Sequence, residues 1–565
     1  MASAPRRLAA LLVAVAVVFA LIALRLVDVQ TRSRARYVRL GLSQRVRTVT
    51  VAAQRGSILD RNGNQLAVSV PATTVWANPR VMPDPAFAAA KLAPLVGVDE
   101  ATLQARLSDR RRGFVYVARK LDAGPAAAVR NLHLVGLGFE SEPKRYYPAD
   151  PLAAPLLGLV GTDNGGLGGL EAGDQSILGG RNGRLLVEQD PRGQTLPNGT
   201  HEEQATKQGS DVLLTIDQSM QYAAEQALAA EVGNQHSRGG MAIIVDTRTG
   251  DILAMASVDG PAGSQPARPS PAGARNRPLT DVFEPGSTAK VVTIAAALEA
   301  GLVTPSTVLS VPQSIMVDGT KYEDVETHAT LMTVADIVRQ SSNVGTILIA
   351  RMLGRDRFDA ALHAFGFGVP TGVGFPGEAA GILLPRGQYN ATSLASMPIG
   401  SGIAVTAMQL LDVYATIANG GAARAPRLVA ATVDPAGHRR DRARALAHPV
   451  VSAGTANQVR QLLVGVVTGG TGTKAQVPGY LVAGKTGTAR KPPYLAGQYV
   501  SSFAGFAPAD APRLAAVVVL DEPQGGSVFG GDVAAPVFAR IMQYALTVER
   551  VPASGPSSIA TGPIP

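Results

Sequence analysis

The segment Phe283-Glu284-Pro285-Gly286-Ser287-Thr288-Ala289-Lys290 places a hydroxyl nucleophile and an amine one helical turn apart at the head of an apolar helix. From Thr288 to Ala300 the chain runs through Val291, Val292, Ile294, Ala295, Ala296, Ala297 and Leu298 with few polar breaks, the all-round apolarity of a buried helix. Gly301 supplies a stop. Pro285 and Gly286 end the preceding segment, so Ser287 falls in the first turn, where free N–H groups and the positive dipole end favour a developing negative charge. Residues three apart share a helix face, which lets Lys290 reach the Ser287 hydroxyl. The spacing by itself says little: Ser141-Glu142-Pro143-Lys144 repeats it, with a proline that spoils the turn, and a plain core helix fits the segment as well.

Further down come Ser341-Ser342-Asn343 and Lys485-Thr486-Gly487-Thr488, in that order. The trio Ser-x-x-Lys, Ser-x-Asn and Lys-Thr-Gly marks penicillin-binding proteins and serine β-lactamases. Over nearly its whole length the chain resembles the class B penicillin-binding proteins, the monofunctional transpeptidases of bacterial wall synthesis. The resemblance implies an α+β penicillin-binding transpeptidase fold, a five-stranded antiparallel sheet with helices on its faces, carried on an elongated N-terminal pedestal with a membrane anchor. It implies acyl transfer through an ester on Ser287, with Lys290 as proton acceptor. A free lysine titrates near about 10.4, so burial and the second cation, Lys485, are both needed to lower Lys290. Ser341 relays a proton to the leaving amine and Asn343 holds the substrate backbone and orients Lys290. Lys485, Thr486 and Thr488 take the terminal carboxylate, Gly487 lets substrate lie close, and the Ser287 and Thr488 N–H groups form the oxyanion hole.

Within the family, Ser341-Ser342-Asn343-Val344-Gly345 and Gly530-Gly531-Asp532-Val533-Ala534-Ala535-Pro536-Val537-Phe538 look like the division-specific subgroup. An elongation-specific transpeptidase, and a D,D-carboxypeptidase or β-lactamase-like hydrolase, remain as alternatives, as does a scaffold with a vestigial site. The implied partners are peptidoglycan stem peptides, β-lactams, the membrane and a membrane glycosyltransferase of the division complex. No cofactor, metal or nucleic acid is expected: the seven histidines form no His-x-x-x-His pair, His328 and His363 read as loop or packing residues, and no basic run is interleaved with aromatics.

The 565 residues exceed one ordinary core. The expected organisation is a short tail at 1–7, a transmembrane anchor at 8–29, the pedestal at 30–206, the transpeptidase domain at 207–550 and a disordered tail at 551–565. Leu8 to Leu24 is apolar and uncharged, long enough to span if Arg25 snorkels; a cleaved signal peptide is the alternative. Arginines 32, 34, 36 and 39 outnumber Arg6 and Arg7, so charge does not set the orientation, and the placement of the bulk outside rests on the resemblance. With no cysteine there is no disulfide, thiolate site or cysteine nucleophile. The net charge of +9 points to anionic lipid or wall polymer.

In the pedestal, Asp60 and Asn62-Gly63 predict a turn joining strands at Val46 to Val51 and Gln65 to Val70, within a string that looks like the family's arginine-glycine signature. By family analogy, Glu171 is expected to be buried with Arg55 or Arg61. Beyond Gln208, Asp217 caps a helix from Gln218, with Gln221 completing a box. Strands are predicted at Met241 to Val245, Ile252 to Met255, Tyr480 to Thr488, Val500 to Ala507 and Arg513 to Leu520. Thr333 and Asp336 form a capping box for a helix that the Ser341 triplet interrupts.

One rival motif overlaps the third. Gly479-Tyr480-Leu481-Val482-Ala483-Gly484-Lys485-Thr486 fits the phosphate-loop pattern of an ATPase, with Asp521-Glu522 after an apolar run as its acidic pair. A phosphate loop must open into a helix. Here Tyr480, Leu481, Val482 and Ala483 favour strand, and Pro492-Pro493 bars a helix.

Overall fold

The computed structural model describes residues 4–188, 201–261, 267–271 and 273–554. They form two compact units, Met1–Gln54 with Gly180–Gln208, and Arg55–Gly179 with Gly209–Pro565. In the first, the apolar helix Ala4–Gln30 has 27 residues, about 40 Å at 1.5 Å per residue, enough to cross a hydrocarbon core of about 30 Å. Arg25 pairs with Asp28 one turn on, at 2.6 Å, so the two groups carry no net charge at the end of the span. Val46–Val51 pairs antiparallel with Gly183–Glu188, and that strand with His201–Gln204.

This corrects the predicted hairpin. The turn at Asp60 to Gly63 is present, with Asp60 Oδ1 accepting from Asn62 N and Asn64 N at 2.8 Å. Its first arm, however, is Ile58–Leu59, paired with Gln65–Ala77. Six residues of irregular chain separate Val51 from that arm. Gly56 is pressed so close to the Ser210 carbonyl that a Cβ would sit 2.0 Å from its oxygen, and the chain turns away there.

Among the described residues the second unit carries two large sheets and three two-stranded ones. The first runs Arg439–Asp441, Val429–Val433, Asp211–Leu214, Ile58–Leu59, Gln65–Ala77, Val115–Leu121, with Leu137–Tyr146 also on Gln65–Ala77. Asp211–Leu214, expected to open the transpeptidase domain, therefore adds to the sheet of the pedestal head, parallel to Ile58–Leu59. Arg55 and Arg145 bracket Glu171 behind this sheet; Arg61 points elsewhere, to Glu549.

The second sheet holds the five predicted strands, in the order Ile252–Asp259, Gly239–Asp246, Leu514–Asp521, Tyr499–Ala507, Ala483–Arg490, all antiparallel. A sixth, Arg268–Pro269, pairs two residues at the outer edge; it comes from a Pro/Ala-rich segment whose composition hides it. Both faces are covered, so the strands read as apolar runs rather than alternations. Ala242, Ile244 and Val518 face one core with Leu228 and Phe538 of the helices Gln218–Asn234 and Ala535–Val548. Met241, Ile243 and Val517 face the other, with Val291, Ala295 and Tyr414 of the helices Lys290–Glu299 and Ala407–Ala418. Asp217 caps its helix as expected, accepting from Ser219 N and Met220 N at 2.9 and 3.1 Å. Gln221 does not close a box; it reaches the Met255 backbone and Glu225 instead. Residues 555–565 of the expected disordered tail lie outside the described residues, while Ser554 Oγ donates to Asp510 at 2.8 Å.

Candidate active site

Ser287 sits in a 3₁₀ turn, Gly286–Ala289, that opens directly into the buried helix Lys290–Glu299. Two close contacts fix the turn. Gly286 N donates to Gly400 O at 3.0 Å, an approach that Gly400 permits at φ +83 because a Cβ there would lie 2.1 Å from Gly286 O. The Tyr414 hydroxyl, wholly buried, donates to Thr288 O at 2.8 Å. Gly400, in the segment from Pro398 to Thr406, thus lets two backbones touch.

Lys290 does not bond to Ser287. Its Nζ donates to Ser341 O at 2.6 Å and to Asn343 Oδ1 at 2.8 Å. The 3₁₀ opening keeps residues three apart on one face but spreads them along the axis, at about 2.0 Å per residue, and the acceptors on the Ser341 turn hold the ammonium instead. The Ser341 triplet breaks the helix into Val334–Arg339 and Asn343–Leu353, with the predicted Thr333/Asp336 box at the start of the first. Ser341 itself takes φ +62, an unusual conformation for a residue with a side chain and one that clusters at functional sites. Ser342 caps the second helix, accepting from Gly345 N at 2.8 Å.

Opposite lies the edge strand Ala483–Arg490, against which the Ser287 turn packs. It continues straight through Lys485 and Thr486 into Arg490 with no helix after it, which rules out the phosphate-loop reading; Asp521 and Glu522 are held by Lys491 at 2.7 and 2.6 Å. Lys485 Nζ donates to Ser341 Oγ at 2.8 Å and to Thr486 O at 3.2 Å. Ser341 therefore touches both lysines: Lys290 donates to its carbonyl and, at 3.4 Å, to its hydroxyl, and Lys485 donates to the same hydroxyl. Thr486 and Thr488 line the cleft, and Gly487 points the other way. A Cβ on Gly487 would come within 2.8 Å of Pro285 O and 2.5 Å of Ser502 Oγ. What this glycine makes room for is the turn bearing Ser287, not the open groove.

The cleft has a volume of roughly 320 Å³ and is lined by Ser287, Ser341, Asn343, Thr486, Thr488 and the Phe529–Asp532 segment, among others. Both lysine side chains are buried beside it, at 3 and 1 % exposure. Burial drives Lys290 well below the ordinary lysine range, the nearby Lys485 adds to the fall, and Asp324 opposes it. Burial lowers Lys485 to about 7.

Sequence reading misses the support behind this row. Asp324, after a short hairpin, sends its carboxylate into the head of the Asn343 helix. Oδ1 accepts from the N–H groups of Asn343 and of Val344, the latter at 3.0 Å. Oδ2 accepts from Ser342 Oγ at 2.6 Å and meets His328 Nε2 at 2.7 Å. His328, expected as a packing residue, is packed but lies in the cleft wall. Thr471 Oγ1 meets Thr486 Oγ1 at 2.7 Å, and Gly530 N donates to Thr488 Oγ1 at 3.0 Å, giving the Gly530–Phe538 pattern a place at the site.

A helix-borne serine, a buried lysine pair and an edge strand meeting across one cleft define a class of acyl-transfer fold. Residues 240–543 match the penicillin binding protein transpeptidase domain, and residues 50–214 the penicillin-binding protein dimerisation domain. The chain belongs to the class B penicillin-binding D,D-transpeptidase family. It is 33% identical to the probable peptidoglycan D,D-transpeptidase PenA of Neisseria meningitidis, over 98% of this chain and 94% of that one. It is 32% identical to the peptidoglycan D,D-transpeptidase FtsI of Escherichia coli, over 93% and 88%. Penicillin binding protein 3 of Mycobacterium tuberculosis, solved with aztreonam, superposes with a TM-score of 0.68 at 31% identity, covering 90% of this chain and 99% of the other.

Proposed function

We propose that this chain is a serine D,D-transpeptidase that crosslinks peptidoglycan stem peptides through an ester on Ser287 and that it works in septal wall synthesis. One observation carries the reading: Lys290 and Lys485 are both buried at the cleft and bridged by Ser341, with no carboxylate within bonding distance of either ammonium among the described residues. Such a pair is stable only if at least one amine is neutral.

The Ser287 hydroxyl attacks the carbonyl carbon of the penultimate D-alanine, and its proton passes to the Lys290 amine. The resulting oxyanion is met by the Ser287 and Thr488 N–H groups. Collapse breaks the peptide bond, and the leaving D-alanine amine receives a proton through Ser341, which already contacts both lysines. Lys485, Thr486 and Thr488 hold the terminal carboxylate during this step. An amine of a second stem peptide then attacks the ester, loses its proton to Lys290 and restores Ser287. A β-lactam enters by the same attack, its opened ring remaining on the serine.

The test is labelling with a fluorescent penicillin followed by denaturing electrophoresis. The native chain takes a covalent label, and Ser287→Ala takes none; label retained on the variant would sink the assignment. A donor stem peptide with an acceptor amine separates crosslinking, the expected product, from hydrolysis. The septal role draws on the Ser341–Gly345 and Gly530–Phe538 patterns: loss of the activity in cells should give filaments, whereas rounded cells would mean elongation. Ala4–Gln30 serves as a single membrane span with the catalytic unit outside, beside a membrane glycosyltransferase; protease added to intact spheroplasts should remove the catalytic unit.

A further inference from the structure

The wall behind Asn343 holds a pair that the mechanism leaves unused. The Asp324 and His328 side chains are each 3% exposed and stand 2.7 Å apart, Oδ2 to Nε2. The second ring nitrogen, Nδ1, is 2.9 Å from Ala329 O. A carbonyl and a carboxylate oxygen only accept hydrogen bonds, so the ring serves both at once only with a proton on each nitrogen, as a cation.

Asp324 is under two opposed demands. Its grip on Asn343 N, Val344 N and Ser342 Oγ needs an ionised carboxylate. An ionised carboxylate this near Lys290 favours the ammonium, whereas the reaction needs the amine. A cation on the far side of Asp324 satisfies both. We propose that His328 is a positioning residue for acyl transfer: as an imidazolium it holds the Asp324 carboxylate in its clamp on the Ser342-Asn343 turn and offsets that carboxylate's field at Lys290. This rests on the acyl-enzyme reading above.

The remaining charged groups around the pair do not substitute for it. Lys290 and Lys485 lie beneath the Ser341 to Asn343 turn. Glu323 is exposed and bound to Lys321 at 2.5 Å, Glu326 is at the open cleft, Asp336 and Arg339 pair with each other at 2.8 Å, and across the cleft Lys474 pairs with Asp532 at 2.9 Å.

The experiment measures the second-order rate of acylation by a fluorescent penicillin on the full-length protein in detergent, from about pH 5 to about pH 10, spanning the histidine and lysine ranges. The variants are His328→Gln, which keeps a donor but no charge, Asp324→Asn, and the double substitution. With His328→Gln the acid limb of the profile moves up by roughly one pH unit, so the rate at neutral pH falls about tenfold. With Asp324→Asn the limb does not move up, although the rate falls because the clamp is weakened. The double variant loses the upward shift. A loss that is uniform across pH in His328→Gln, or no loss, overturns the proposal. Label bound at saturation counts the folded molecules, so rates are compared per active site even where a variant folds poorly. An unlabelled native protein would overturn the acyl-enzyme reading itself, a result distinct from a labelled protein with an unmoved limb.

Discussion

In the pedestal head, Glu171 lies fully buried between Arg55 and Arg145, with Arg145 Nε at 2.6 Å from its carboxylate; in the cleft, Lys290 and Lys485 lie equally buried with only neutral oxygens bonded to them. The arginine cluster spends its hydrogen bonds on neutralisation: Arg55 also reaches Gln175 Oε1 at 2.7 Å and Asn164 O at 3.1 Å. Arginine holds its charge at any working pH, so that cluster has one protonation state and one geometry. Lysine gives up its proton when buried, so the cleft has a proton to move. The same burial that makes one site rigid makes the other reactive.

Removing the base gives the largest expected effect. Lys290→Met should lower the acylation rate by about 10³-fold, within the range for loss of a general base, while the unfolding midpoint stays level or rises. If acylation survived at near-native rate, Lys290 would be a structural lysine and the contrast would disappear. On the pedestal side, Glu171→Ala leaves two buried guanidiniums unpaired, and breaking a buried ion cluster from one side costs about 3 to 5 kcal/mol. Urea unfolding should show that loss, while acylation per folded molecule is retained.

Lys485→Met sharpens the contrast by reversing the sign. Lys485 titrates at about 7 in the fold, against about 10.4 in an unfolded chain. Between those values the unfolded state holds the proton and the folded state does not, so this residue's contribution to stability rises with pH across that window. Its full penalty applies below about 7 and fades as pH approaches about 10.4. The Met variant should therefore be inactive yet more stable at pH 7, by about 1 to 4 kcal/mol, with the advantage shrinking as urea midpoints are taken toward pH 10. A variant less stable than the native chain at pH 7 would show that Lys485 is a structural residue like Arg55.

The legible parts of the site are those written contiguously. Ser287 to Lys290, the Ser341 triplet and Lys485 to Thr488 each fit within four residues, and an apolar run marks the helix that carries each of the first two and leads into the strand that carries the third. What escaped is set by contacts at a distance. Val46–Val51 has strand character, but its partner at Gly183–Glu188 lies beyond a whole subdomain. Asp324 sits in a polar loop among Glu323 and Glu326, and nothing local says which carboxylate turns inward; only the three N–H and O–H donors at the head of the Asn343 helix select it. Lys290 was expected at the Ser287 hydroxyl, because spacing predicts a shared face and not the distant acceptors, Ser341 O and Asn343 Oδ1, that hold its ammonium.

Arg55 and Arg61, six residues apart in one signature string, set the smallest expected effect against a large one. Sequence reasoning offers either as the partner of Glu171, since both are arginines near the same turn. Arg55 is 2% exposed at its side chain and bonded on every side, whereas Arg61 is 33% exposed and reaches Glu549 at 2.5 Å. Glu549 has a second cation, Arg513, at 3.4 Å, so losing Arg61 does not strand it. A part-exposed pair of this kind contributes about 1 kcal/mol or less, and salt screens it. Arg61→Ala should therefore shift the urea midpoint slightly, by an amount that vanishes in about 1 M salt, while Arg55→Ala should cost about 3 kcal/mol or more at any salt concentration. Equal, salt-sensitive losses for the two would mean that the Glu171 cluster is open to water and that the pedestal, like the cleft, has charge free to respond.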